Sequence, residues 1–426
     1  MLGNWWHKKE APLLGLGGLW GGTFSSLSGA AAEEAGLATW SFPGPTPSVT
    51  NGKYTFYTFT SSTNFSLPTA APEVAFDDDG VPGNYISAVL VGGGGGGGGH
   101  HGAGGGGGGT VHATGPQGQG VIDMKPGGGG ASIPIKVGDG GFQVGNSNAT
   151  HPGCPGQRSR IGKDSDAFCV IALGGGGGGS HQQPAYHGTN SPNVPNISNW
   201  RTNDTGPTAW PGGSYACNQK WWHPSVPGTE FTPSPGAGSN GGGLGPRSGG
   251  CGGGGTWSFA WNPGPWPCDY DGDAPNENHP NGWIGGGKGV AHQNCPDLPE
   301  ISGNPQYGFG NIGGNGGPQH GSGGGGTQNA ANSGDKDGGR ARPVPQAFYG
   351  PGHPHYPSPR SYGAGGAGED NGQGQGSGGG ANPGTGGPGS NNATGYGNGG
   401  GGRRVFNGVS GSGSAGIVII KVRTSE

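Results

Sequence analysis

Three aspartates, Asp269, Asp271 and Asp273, alternate around a glycine in CDYDGDAPNEN. Carboxylates at alternate positions of a tight turn can converge on one hard cation, and calcium is the ion that suits such oxygens. The bidentate glutamate that completes a calcium loop is missing at the required spacing, so a solvated acidic turn is the competing reading. Asp77, Asp78 and Asp79 offer a weaker version of the same pattern. Histidines cluster twice: His100, His101 and His112 flank polyglycine, and His353 and His355 sit in GHPHYP. Paired imidazoles can bind transition metals; solvent-facing caps at the ends of the tracts are the plainer expectation. No Ser-His-Asp arrangement or catalytic carboxylate pair has a usable spacing. The many G-x-G-x-x-G matches open no helix. The chain therefore reads as non-enzymatic, with no cofactor beyond that candidate calcium.

Aromatic residues are the stronger candidates for recognition. Trp221, Trp222, Trp257, Trp261, Trp266 and Trp283, with Tyr349 and Tyr356, stand in loop-like contexts such as NQKWWHP, TWSFAWNPGPWPCDY and PQAFYGPGHPHYP. Such rings join a flat apolar face to a polar handle, dominate recognition hot spots and also stack on sugars. In a core-poor region the same rings can equally be the local core.

What positions these residues is a chain of unusual composition. Of 426 residues, 112 are Gly and 39 are Pro, and the hydrophobic fraction is 28%. An ordinary soluble domain has roughly 45–50%, so one large apolar core is excluded. Disorder is the bland alternative, but 12 Trp, 11 Tyr and 13 Phe are residues that disordered chains lack. A net charge of −4 with 10% charged residues leaves no basic patch and argues against nucleic acid. No apolar run reaches the roughly 18 residues that span a bilayer. The opening MLGNWWHKKEAPLLGLGGLWGG has the charges of a signal peptide, but Gly15, Gly17 and Gly18 break its apolar part. The six cysteines, Cys154, Cys169, Cys217, Cys251, Cys268 and Cys295, contain no C-x-x-C pair, which leaves disulfides and free buried thiols both open.

Six stretches have strand character. KYTFYTFT alternates aromatic and β-branched residues from Lys53, and SSTNFSLP supplies a turn and a second strand before Pro68. NYISAVLV (84–91), ASIPIKV (131–137), DAFCVIAL (166–173) and SAGIVIIKV (414–422) follow. Between about 181 and 410 regular strand signals vanish, and no long helical periodicity occurs anywhere.

The runs AVLV and VIAL each lead straight into uninterrupted glycine. Ordering eight glycines costs on the order of 8–16 kcal/mol, and no side chain offsets it. Their amides must be paired if buried, and polyglycine forms neither helix nor strand well. Polyproline II leaves both backbone groups pointing sideways with three residues per turn, so such helices laid side by side can bond to one another. A helix enclosed on all sides tolerates only Gly. Uninterrupted tracts then mark interior helices, and broken ones such as NGQGQGSGGGANPGTGG mark outer ones. The hydrophobic runs clamp the bundle.

YTFTSSTNFSLP (57–68), YISAVLVGGGGGGGG, IPIKVGDGG (133–141), DSDAFCVIALGGGGGG and GSGSAGIVIIKV occur in that order. This order resembles the glycine-rich domain of bacteriophage tail-fibre, adhesin and related virion proteins. The resemblance implies a layered sandwich of polyglycine II helices with variable loops at one end, which in the adhesins contact host-surface receptors. The expected fold is mainly irregular and all-β: short antiparallel strands clamping polyglycine II helices, long aromatic-rich loops, and little or no α-helix. The expected organisation is a virion-attachment segment at 1–45 and a sandwich domain at 46–426, with its long Trp/Cys-rich loop region at about 181–360 and a closing strand at 414–422. In the first segment Trp5, Trp6, Leu13, Leu14, Leu16 and Trp20 cannot bury themselves and should dock on another virion protein. KKEAPLLGLGGLWGG is similar to short openings of virion proteins. The expected role is a tail-fibre or fibre-tip adhesin on the virion surface that binds a host glycan or protein, extracellular when functional, in a homo-oligomer with a trimer favoured. The alternatives are an architectural virion part or a non-viral extracellular filament subunit.

Overall fold

Alternating aromatic and β-branched residues give strands wherever two flanking faces can be covered. A computed structural model describes residues 39–41, 48–69, 85–99, 101–115, 120–124, 131–142, 153–162, 170–179, 251–254, 308–314, 321–331, 336–369, 377–382, 384–389, 391–403 and 409–424, with the backbone of five short strands between 201 and 285. In chain order the first strands are β1 (Thr39–Ser41), β2 (Ser48–Asn51), β3 (Tyr54–Phe59), β4 (Thr63–Thr69), β5 (Tyr85–Val91), β6 (Thr110–Ala113), β7 (Ile122–Asp123), β8 (Ala131–Lys136), β9 (Ser159–Ile161) and β10 (Val170–Ala172). Then come β11 (Arg201–Thr202), β12 (Trp221–Trp222), β13 (Glu230–Phe231), β14 (Trp257–Phe259) and β15 (Trp283–Gly285). The last elements are β16 (Gly308–Phe309), β17 (Arg342–Pro343), the one-turn helix α1 (Gln346–Tyr349), β18 (Ser361–Tyr362) and β19 (Ile417–Arg423).

Two antiparallel sheets form a sandwich. One has seven strands, ordered β16-β6-β5-β19-β3-β2 with β7 beside β5; the other is β1-β4-β8-β9-β10. In the central pair Leu90 faces Val418 and Val89 faces Ile419, so alternate residues point to opposite sides. Ile86, Leu90, Val418 and Ile420 meet Phe65, Ile133, Ile135 and Ile161 of the second sheet. The intervening Val89, Val91, Ile417 and Ile419 turn outward, where Val344, Phe348, Tyr349 and Tyr362 cover them. The seven-stranded sheet is thus buried on both faces, and each fully buried aliphatic contributes roughly 1.5–3 kcal/mol.

Where β5 meets glycine, side-chain packing gives way to a backbone lattice. Gly92, Gly95 and Gly98 donate to the carbonyls of Gly109, Gly106 and Ala103; Gly93 and Gly96 to Gln157 and Cys154; Gly94 and Gly97 to Ser414 and Gly411, all at 2.8–3.0 Å. In return the carbonyls of Gly93 and Gly96 accept from Gly175 and Gly178, those of Gly95 and Gly98 from Gly400 and Arg403, and that of Gly94 from Gly141. Partners recur every third residue, which is the signature of a threefold helix. None of these glycines has a positive φ, in keeping with polyproline II. Segments 102–109, 153–157, 411–414, 175–178, 400–403 and 138–141 therefore enclose 92–98 on six sides. The 102–109 helix is enclosed in the same way, donating to 397–403, 173–179 and 322–325. A Cβ added at Gly95 would overlap the Gly176 carbonyl, and one at Gly97 that of Gly401. Side chains also stand in for missing backbone neighbours: inside, Asn398 Oδ1 accepts from Ala364 N–H (2.8 Å), and at the rim Asp337 Oδ1 accepts from Ser377 N–H (2.6 Å) and Asn392 Oδ1 from Ser412 N–H (2.8 Å).

The bonding fixes a polarity. β5, β6, β8, β9, β10 and β19 all join the lattice at one end, so the sandwich caps that end, and the bond from Gly98 N–H to the Ala103 carbonyl marks the other.

Several expectations are corrected. Strands do occur between 181 and 410, as pairs of two or three residues that β-propensity alone does not signal, because tertiary neighbours set them. The closing strand begins at Ile417, since residues 411–416 still bond as lattice backbone. In DAFCVIAL the described strand is Val170–Ala172, and 163–169 lie outside the described residues. Residues Thr39–Ser41, within the segment read as 1–45, pair with β4; residues 1–38 lie outside the described ones. The glycine runs at 252–254, 323–326 and 399–402 also bond as lattice helices.

Candidate functional site

The lattice determines where the long aromatic segments leave and return. Ala103 N–H donates to the Gly179 carbonyl and Gly98 N–H to that of Ala103, so the described helix ends at Gly179 beside Gly98 and Ala103, away from the sandwich. The chain resumes the lattice at Cys251. Gly176 donates to Cys251 (2.8 Å) and Gly179 to Gly254 (2.9 Å), so the returning helix lies parallel to the departing one. Gly254 then leaves at the same distal end, and the chain regains the lattice after β16, which pairs with β6 at the sandwich end. Both tryptophan-bearing segments, 180–250 and 255–307, thus set out from the end opposite the sheets.

Of the recognition candidates, Trp221 and Trp222 form β12 between β11 and β13, facing Phe231 and Glu230 across one ladder. Trp257 and Trp283 lie on the β14–β15 pair, in register with Gly285 and Phe259. Trp261, Trp266 and the aspartates Asp269, Asp271 and Asp273 lie outside the described residues, as do Trp5, Trp6, Leu13, Leu14, Leu16 and Trp20. Tyr356 is half-buried. Tyr349, expected at a recognition surface, is instead a core residue with 2% exposure, and burial pushes its phenol upward.

The histidines are also more enclosed than caps facing solvent. His101 and His112 are buried, and His101 takes φ 49°, a left-handed value that among non-glycine residues Asn, Asp and His adopt most readily. His112 lies on β6 with its ring 5.0 Å from Phe309, over which Arg342 stacks at 4.0 Å. Burial, with the Arg342 charge adding, pulls the His112 imidazole down to about 3. Among the described residues no group of three or more His, Cys, Asp or Glu side chains is arranged to hold a metal ion. Cys154 is disulfide-bonded. Cys251 is a free, buried thiol, pushed up to about 12 by burial.

Neither the Tyr349 cluster nor β11 to β15 stood out in sequence as packed elements. The one available signal was the ring density of QAFYGPGHPHY itself.

The model of a family described as a glycine-rich domain matches residues 75–216. That span contains β5, the two fully enclosed helices and the tract leaving β10. Among curated proteins none matches the chain.

Proposed function

We propose that this protein is a virion structural protein, a tail-fibre or fibre-tip adhesin whose polyglycine lattice presents aromatic segments to a host-surface receptor. The observation that supports this reading is the common exit of 180–250 and 255–307 from the lattice end remote from the sandwich. A helix bonded on six sides offers little freedom to bend, so it serves as a stiff post rather than a moving part. In this role Trp221, Trp222, Trp257, Trp261, Trp266, Trp283 and Tyr356 supply flat apolar contact area for a glycan or protein. The segment 1–45, whose β1 pairs with β4 in the sandwich, attaches to another virion protein, at the end opposite the point where 180–250 and 255–307 set out. The particle surface is the corresponding location, and no catalytic step is assigned.

The test is competition for adsorption. Purified full-length protein, added in excess, should reduce attachment of the virus carrying it to host cells, and a variant with Trp221 and Trp222 changed to Ala should compete less well at equal folded content. No competition by the wild-type protein would overturn the adhesin reading. The burial of Tyr349 favours a second reading, an architectural virion part whose loop rings serve as local core; immunogold labelling spread along the particle body, without competition, would support it.

A further inference from the structure

Residues 344–356 lie across the outer face of the seven-stranded sheet, where Val344, Phe348 and Tyr349 are buried. Phe56 of β3 is their common support: its ring centroid is 5.6 Å from Phe348, 6.2 Å from Tyr349 and 4.5 Å from the imidazole of His353. His353 stacks on Tyr349 at 4.8 Å, and His355 meets these two rings edge-on at 5.2 and 5.5 Å. Lys421 of β19 holds its ammonium 4.1 Å over Tyr54 and 5.8 Å from Phe56. Asn51 ties down the near edge, donating from Nδ2 to the carbonyls of Tyr349 and Pro351, both at 3.1 Å.

Each histidine has its one lone pair in use. Nδ1 of His353 accepts from the backbone N–H of His355 at 3.1 Å, which assigns the proton of the neutral ring to Nε2. Nε2 of His355 accepts from the Nε–H of Arg360 at 3.3 Å, which assigns its proton to Nδ1. A further proton can enter either ring only at the engaged nitrogen, turning an acceptor into a donor that faces a donor. At His353 the new charge would also share the Phe56 ring with the Lys421 ammonium. The titratable and charged groups around it are Lys421 from β19, Tyr349 from α1 and His355 from its own turn, with Arg360 behind His355. None of these carries a negative charge at acid pH.

We propose that residues 344–356 form an acid-released clasp: uptake of one proton at Nδ1 of His353 breaks the His353–His355 turn and lifts the segment from the sheet. Release bares Phe56, Ile417 and Ile419, an apolar face that neutral pH keeps covered. The direction of titration agrees. Burial, then His355 and Lys421, pull His353 down to about 4, and burial with Arg360 lowers His355 as well. A group depressed in the closed state binds its proton more tightly once released. Closure is therefore complete above the ordinary histidine value of about 6.5 and weakens by about tenfold per pH unit as pH falls toward 4.

Amide exchange on the full chain from about pH 7 to about pH 4.5, corrected for intrinsic rates, tests this. The N–H groups of Phe348, Gly350 and Tyr356, bonded to the carbonyls of Pro345, Gln346 and His353, report the clasp; those of Gly95 and Gly105 report the lattice. Clasp protection should fall by about tenfold per pH unit below 6.5 and lie below lattice protection at about pH 4.5, and His353→Phe should flatten the clasp's fall. Level clasp protection in the wild type, clasp protection equal to the lattice's at about pH 4.5, or a fall that persists in His353→Phe would each overturn the proposal. The wild-type profile decides even where the variant does not fold.

Discussion

Leu90 and Gly95 lie on one uninterrupted run of chain, yet opposite physics holds them. Leu90 is held by what its side chain touches: it is fully buried between Val418 and the second sheet. Gly95 is held by what it lacks. Its N–H bonds to Gly106, its carbonyl accepts from Gly400, and the space a Cβ would need belongs to Gly176. The sandwich is non-directional and forgiving of shape within limits. The lattice is directional, bonded at nearly every residue, and, apart from Ala103 near the distal end of 102–109, carries no side chain on its two inner helices. Each lattice bond nets only about 0.5–1.5 kcal/mol, comparable to the entropy of fixing one residue, so the lattice depends on the sandwich to close it.

The largest effect should follow from Gly95→Val. The added carbons meet backbone on the Gly176 side, and backbone cannot move aside as a flexible side chain can. A loss of about 4 kcal/mol or more is expected, read as collapse of soluble folded yield or of the urea midpoint. A variant that folds with near-native stability would show that the helices can spread apart, and the contrast with the sandwich would fail. Leu90→Ala comes next, at about 3 kcal/mol from lost burial and a residual cavity. Because Leu90 sits at the clamp, protection of the Gly92 and Gly93 amides should fall with it. Unfolding that separates into a sandwich step and an intact lattice step would break the dependence argued above.

Acid should divide the two regions as well. The glycines of 92–98 carry no ionisable side chain, whereas His112 lies on β6 of the sandwich with its imidazole lowered to about 3. Its folded value lies below the unfolded one, so the unfolded chain takes up the proton first and stability falls as pH drops from about 6.5 toward 3. At about 1.4 kcal/mol per pH unit, roughly 2–3 kcal/mol is lost by about pH 4.5. His112→Phe should reduce that slope in a pH series of thermal midpoints, leaving the part that His353 contributes. An unchanged slope would mean that acid acts elsewhere.

Much of this contrast was legible in sequence. Tyr54–Phe59, Tyr85–Val91 and Ile417–Arg423 announce themselves by alternation or β-branched density, and the uninterrupted tracts 92–98 and 104–109 are the fully enclosed helices. Helix 153–157 was not legible. Cys154, Pro155 and Gln157 interrupt its glycines, yet the carbonyls of Cys154 and Gln157, three apart, bond to Gly96 and Gly93. A threefold helix can carry side chains, here buried ones, on the sides where no other helix bonds to it, and sequence does not reveal which sides those are. The same limit hid α1 and the burial of Tyr349 and His353, which depend on the distant residues Phe56 and Lys421. The tryptophan candidates Trp221, Trp222, Trp257 and Trp283 were found by residue type alone; their pairing into β12, β14 and β15 comes from partners that no local pattern names.

The smallest effect is the sharpest test of why glycine is there. Gly380 sits on the outer 377–382 segment, where a Cβ would meet nothing within 4 Å and φ is not positive. Its carbonyl still accepts from Ala341 N–H at 3.0 Å, so its backbone is bonded much as Gly95's is. If the lattice needs glycine only for space, Gly380→Ala should be neutral or stabilise by about 0.4–1 kcal/mol, because alanine narrows the unfolded ensemble. The urea midpoint should then rise with an unchanged slope. A loss of stability at this open position would mean that the lattice selects glycine for its backbone freedom as well, and the steric account of Gly95 would cover only half of the cause.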